Sequence, residues 1–216
     1  MMRQQTHLVA LYLGLVFTTG SQSARAQADP ASLPAHDSHQ GLLVAADPYA
    51  AAERSKTKFG KHSPYEGGIL AVDVYFRNDN DSPVRLNLDT VELRVGGRGE
   101  PKQKLAAISP EEVADRTLLK APKDPRATRV PFPLPGGGAK SSRGKDWDEF
   151  AGTLRSAAMA TTIIPPHGLA HGFFYFDIDH HFDWLSTALL NIPDLEFMFG
   201  NKPLFFFEID LAPAAP

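Results

Sequence analysis

The sequence predicts a mainly β fold, an antiparallel β-sandwich with two or three short inserted helices. Three observations predict it. Extended segments of roughly 5–10 residues alternate apolar and polar side chains, the period of a strand with one buried face. Polar turns rich in Asn, Asp, Pro and Gly separate them. Proline (18) and glycine (17) are both frequent, which suits a turn-rich β protein in which helices are insertions.

The elements follow in chain order. Arg3, the apolar run Leu8–Phe17 and the small-residue steps Ala24-Arg25-Ala26 and Ala26-Gln27-Ala28 read as a secretory signal over residues 1–28. The run is too short to span a bilayer, which needs about 20 residues. Residues 29–40 are polar and read as a flexible leader. Gly41–Ala46 reads as a first strand. A helix is expected next, with Asp47 as cap, Pro48 in the first turn, Lys56 and Lys58 in the last turn and Gly60 as the stop. In Ile69–Arg77, Leu70, Val72, Val74 and Phe76 share one face. Asn78–Pro83 is a dense turn signal. Val84, Leu86, Leu88, Val91, Leu93 and Val95 resume the alternation, so an antiparallel pair is expected across that turn.

Ser109 followed three residues later by Glu112 predicts a capped helix. Residues 121–145, with Gly136-Gly137-Gly138, read as a long mobile insertion. From Asp146 a second capped helix is expected, with Trp147, Phe150, Ala151, Leu154 and Ala158 as its apolar stripe. Pro165-Pro166 stops any helix. The aromatic strand Leu169–Ile178 follows. Leu195–Phe199 and Leu204–Leu211 are expected to close the fold as a last pair, with Phe205, Phe207, Ile209 and Leu211 on one face. Residues 41–211 therefore read as one domain, with a tail at 212–216.

Bulk composition narrows the function. The formal charge is −3, so no basic excess favours nucleic acid. Removing residues 1–28 removes Arg3 and Arg25 and no acid, leaving 20 basic against 25 acidic side chains, −5. There is no cysteine, which excludes disulfides, thiol catalysis and thiolate metal sites. With no second apolar span of membrane length, a soluble periplasmic or secreted protein is expected.

Two stretches carry a family likeness. One is Arg77-Asn78-Asp79-Asn80-Asp81-Ser82-Pro83-Val84-Arg85-Leu86 with Val91-Glu92-Leu93. The other is Ile164-Pro165-Pro166-His167-Gly168 with Phe174-Tyr175-Phe176. The chain resembles the telokin-like, immunoglobulin-like sandwiches of uncharacterised exported bacterial proteins, and Leu204–Leu211 is similar to their terminal strand. The resemblance implies an immunoglobulin-like fold and no catalytic residues.

Chemistry-bearing clusters are few. Asp177, Asp179, His180 and His181 form the densest set of metal-ligand types, suited to a divalent ion that accepts imidazole and carboxylate. His167 and His171 are four apart on backbone that Pro165-Pro166 keeps extended, too far to share an ion. Gly136–Ser141 lacks the glycine before lysine that a phosphate loop needs. Lys123, Arg126, Arg129, Lys140, Arg143 and Lys145 place a positive segment on an acidic body and are expected to dock an anionic partner. The function expected is a non-enzymatic exported domain without a cofactor that binds a protein or cell-envelope component. The alternative is a metal-binding or metal-dependent protein using Asp177–His181.

Overall fold

The computed structural model describes residues 29–96, 103–119, 143–200 and 202–215. The expected signal, residues 1–28, and most of the expected loop at 121–145 lie outside them. The described chain is mainly β, with twelve strands in three antiparallel four-stranded sheets and a few short helices.

The first sheet runs in the order β1-β2-β3-β8. Its strands are β1 (Ala35–His39), β2 (Leu42–Tyr49), β3 (Ile69–Asn78) and β8 (Leu169–Asp177). The second runs β11-β10-β4-β7, with β4 (Val84–Leu86), β7 (Ile163–Ile164), β10 (Leu195–Phe197) and β11 (Lys202–Pro203). The third runs β12-β9-β5-β6, with β5 (Glu92–Val95), β6 (Gln103–Ala106), β9 (Leu189–Ile192) and β12 (Phe207–Asp210).

Period-two alternation sorts the first sheet's side chains into two cores. Leu70, Val72, Val74 and Phe76 of β3, with Phe174 and Phe176 of β8, face Leu86, Leu93, Leu190, Ile192, Phe207 and Ile209 of the other two sheets. Ile69 and Ala71, with Phe173 and Tyr175, face the helices. These are α1 (Ala52–Phe59), α2 (Pro110–Leu118) and α3 (Lys145–Ala157). Both faces of β3 and β8 are therefore covered, and the layers run helices, first sheet, then the second and third sheets together.

The helices obey local rules in part: α2 has the expected side-chain cap, whereas α3 starts at Lys145 after Gly144 with no side-chain cap. The Ser109 side chain accepts from the Glu112 N–H at 3.2 Å and starts α2. In α3, Trp147, Phe150, Ala151 and Leu154 of the expected stripe are buried, whereas Ala158 lies just past the helix end and is half-buried. Trp147 donates its indole N–H to Asp115 of α2 at 2.8 Å, tying the two helices together.

Four expectations change. Residues 29–40 are not a loose leader: Pro30–Ser32 form a 3-10 turn and β1 pairs with β2 from Ala35↔Ala46 to His39↔Leu42. An edge strand is held by main-chain bonds, so polar side chains do not prevent it. Asp47 and Pro48 lie inside β2, and α1 starts after Ala51. Pro48 is tolerated because β1 ends opposite Ala46 and asks no N–H of it. Asp47 holds Arg54 of α1 in place of a helix end. The Asn78–Pro83 turn does not close a hairpin, since β3 pairs with β2 and β8 while β4 pairs with β10 and β7. It carries the chain across the sandwich. Finally, the last pair is shorter than expected: β10 turns back on β11, and Leu204 N–H donates to Leu195 O at 2.9 Å, but Phe207–Asp210 leave this hairpin and pair with β9 as β12.

Asn78 anchors that crossing. It is fully buried, and its Nδ2 donates to Ser82 O (2.9 Å) and Pro165 O (3.1 Å). Its Oδ1 accepts from the Asn80 main-chain N–H at 3.1 Å. The two stretches that carried the family likeness therefore meet at this side chain.

Candidate functional site: an apolar depression around Pro193

Three hollows adjoin on the outer side of the second and third sheets, each lined in part by Pro193. The largest, about 600 Å3, crosses the second sheet from Thr162 and Ile163 over Arg85, Leu86, Leu195 and Glu196 to Pro203 and Leu204. A second, about 520 Å3, lies between Leu204, Phe205, Phe206 and the polar face of β9 and β12. The third, about 430 Å3, runs along Asp89–Glu92, Lys104 and Asp194.

Local structure explains why apolar groups stand at its rim. β10 and β11 are only three and two residues long. The chain then runs from Leu204, which is buried, through Phe205 and Phe206 before β12 begins. Phe205 and Phe206 are 71% and 57% exposed, and Phe199, beyond β10, is 70% exposed. The Phe205 N–H donates to Gln40 Oε1 at 2.8 Å, which pins this stretch beside β1. The sequence assigned Phe205 to the buried face of a strand. That strand starts only at Phe207, so the alternation reached two residues too far.

The floor on the third sheet is a charge ladder. Glu92 Oε1 accepts from Arg94 Nε (2.8 Å) and Asn191 Nδ2 (3.2 Å) and lies 3.3 Å from Lys104 Nζ. Arg94 also pairs with Glu208. Burial pushes the Glu92 carboxyl up, but the hydrogen bonds and charges of Arg94 and Lys104 outweigh it and hold it below the usual carboxylate range. On the second sheet Arg85 pairs with Glu196 at 2.6 Å. Among the described residues, Asp89 and Asp194 at the rim have no basic partner.

The residues singled out from sequence lie elsewhere. Asp177 pairs with Arg116 of α2 and accepts the Asp179 main-chain N–H at 3.1 Å. Asp179 and His180 both have positive φ, +45° and +66°, and reverse the chain so that His181 N–H donates to Ile178 O at 2.8 Å. His181 stacks on Trp184, with centroids 4.5 Å apart. Among the described residues no three His, Asp or Glu side chains gather as a metal site. His167 contacts Asp81 at 2.9 Å and His171 contacts Asp73 at 3.2 Å, so each has its own carboxylate.

Of the positive segment, Lys123, Arg126, Arg129 and Lys140 lie outside the described residues. Arg143 pairs with Asp115 at 2.9 Å and sits over the Trp147 ring, so it belongs to the α2–α3 contact. Lys145 pairs with Glu149 at 3.4 Å within α3 and is otherwise exposed.

A second polar cluster was missed from sequence. Asp73, buried on the helix-facing side of β3, accepts from the Tyr75 hydroxyl at 3.0 Å and contacts His171. The Tyr75 ring stacks on His171, and burial together with the Asp73 charge pushes its phenol well above the usual range. The signal was available, since an Asp within an otherwise apolar strand needs partners. None of the hollows described above is lined by these three residues. The cluster is a satisfied polar bridge between β3 and β8.

No protein-family model, curated protein or solved structure matches this chain. The reading of its surface therefore rests on the geometry alone. Among the described residues no helix is long and apolar enough to cross a membrane.

Proposed function

We propose that this chain is an exported, non-enzymatic domain with an immunoglobulin-like sandwich, and that it binds a macromolecular partner, a protein or envelope component, through the depression around Pro193. The observation that carries the reading is the pair of exposed phenylalanines Phe205 and Phe206 lining one of these hollows. Burying a phenylalanine side chain is worth about 1.5–3 kcal/mol. Leaving two in water beside one depression forgoes that stabilisation, and association recovers it. The mixed setting, aromatic rim over a paired polar floor, is the composition of a non-obligate interface. Export rests on the signal-like residues 1–28, and the immunoglobulin-like reading on the chain crossing between sheets at Asn78.

Site-specific photo-crosslinking tests it. A benzophenone side chain replaces Phe206, or Leu169 on the far side of the first sheet, in the full chain expressed in exporting cells. Discrete adducts are expected from position 206 and not from 169, and Phe205→Ser should weaken them. Equal labelling at both positions, or none at 206, would overturn the proposal.

A further inference from the structure

We infer that the depression takes an extended peptide carrying alternating apolar and basic residues, added as a strand to the edge of β7. This rests on the binding reading above and names its partner class. Three features of the fold converge on it.

The first is an open strand edge. β7 is the last strand of the second sheet and pairs with β4 on one side only, as Val84↔Ile164 and Arg85↔Ile163. Leu86 N–H donates to Thr162 O at 2.9 Å. In an antiparallel ladder successive residues turn their main-chain groups to opposite sides. Thr162 bonds β4, so Thr161 and Ile163 turn theirs toward the open edge. Among the described residues, Ala160 and Thr161 make no main-chain hydrogen bond, and residues 160–163 are all exposed. Such a row of free donors and acceptors is what an added strand uses.

The second is the hollow beside that edge. It begins at Thr162 and Ile163, and its volume of about 600 Å3 accommodates one or two aliphatic side chains of the added strand. Ile163, 44% exposed, is the first apolar surface that such a side chain would cover.

The third is charge. The depression is lined by Asp89, Asp194, Glu92, Glu196 and Glu208 against Arg85, Arg94 and Lys104. The three cations are engaged by Glu196, Glu92 and Glu208, which leaves Asp89 and Asp194 as the unneutralised groups among the described residues. A lysine or arginine on the peptide complements them. An acidic peptide or an anionic lipid surface is disfavoured by the same two carboxylates.

The test uses fluorescence anisotropy with the folded protein and three labelled hexapeptides. One alternates lysine and valine, one has glutamate for lysine, and one repeats the lysine sequence with its main-chain nitrogens methylated. The lysine peptide is expected to bind, and the glutamate peptide at least about tenfold more weakly. The methylated peptide should not bind, since it cannot donate to the strand edge. Asp194→Asn is exposed and should leave the fold intact while weakening the lysine peptide about two- to fivefold, the scale of one exposed ion pair. Equal binding of the lysine and glutamate peptides overturns the inference, as does unchanged binding after methylation. Binding to vesicles of phosphatidylcholine and phosphatidylglycerol in place of the peptide also overturns it. If crosslinking at position 206 succeeds and no peptide binds, only the peptide inference fails. If both fail, the binding reading falls with it.

Discussion

Asn78→Ala should be among the most damaging polar substitutions in the chain. The side chain is fully buried and bridges the crossing from β3 to β4 with the approach to β8. Truncation leaves the Ser82 carbonyl without its donor and the Asn80 N–H without its acceptor, while the Pro165 carbonyl loses one donor and keeps the Gly168 N–H. An unsatisfied buried polar group costs about 1–3 kcal/mol. The Ser82 carbonyl and the Asn80 N–H are only partly buried, so the lower half of that range applies to each, and the sum is about 3 kcal/mol. For a domain of this size each kcal/mol lowers Tm by about 2–4 °C, so a fall of about 6–12 °C is expected. Urea unfolding followed by circular dichroism should show the lower midpoint with an unchanged slope, because the exposed area on unfolding is the same. Asn78→Asp keeps the acceptor, but it has no N–H to donate and sets a negative charge against two carbonyl oxygens. It should be at least as destabilising. A loss below about 1 kcal/mol in Asn78→Ala would refute the view that this side chain holds the two sheets in register.

Further expectations concern packing, charge and the site. A Cβ at Gly172 would lie 2.6 Å from Met159 Cα and 2.7 Å from Met159 N, so Gly172→Ala should cost about 1–3 kcal/mol by overpacking. A Cβ at Gly152 in α3 meets nothing within 4 Å, so Gly152→Ala should stabilise by about 1 kcal/mol through helix propensity; differential scanning calorimetry of the two variants separates the cases. Glu92 is held below its ordinary value of 4.5, so its contribution to stability is full above about pH 4.5 and is lost as pH falls through the lowered folded value. In Tm measurements from pH 7 to 3, Glu92→Gln should be less stable than the parent at pH 7, and the gap should close in acid; a constant gap refutes the pairing. Tyr75 and Tyr175 are pushed above the ordinary 10.0 mainly by burial. Their contribution is therefore full below pH 10 and is lost as pH rises through the folded values, and absorbance at 295 nm should show both phenols ionising only with unfolding. Phe205→Ser and Phe206→Ser should leave stability within about 0.5 kcal/mol, because both rings are exposed.

The amino-acid sequence alone determined the elements whose signals are local. The alternation in β3 and β8, the Ser109 cap of α2, the apolar stripe of α3 and the stop at Gly60 all appear as predicted. Each depends on residues within a turn or a strand of one another. The tertiary structure decided the rest, because partner choice is non-local. Nothing in Asn78–Pro83 says whether the following strand returns to β3 or crosses to another sheet; the answer lies in Pro165, which offers its carbonyl to Asn78 from 87 residues away. Polar β1 became a strand because β2 presented a free edge to it. Asp177 and His181 were neighbours in sequence, but two consecutive positive-φ residues turned one toward Arg116 and the other onto Trp184. The depression around Pro193 was illegible for the same reason. Its walls come from β4, β7, β10 and the 203–206 stretch, and only packing brings these together and leaves Phe205 and Phe206 in solvent.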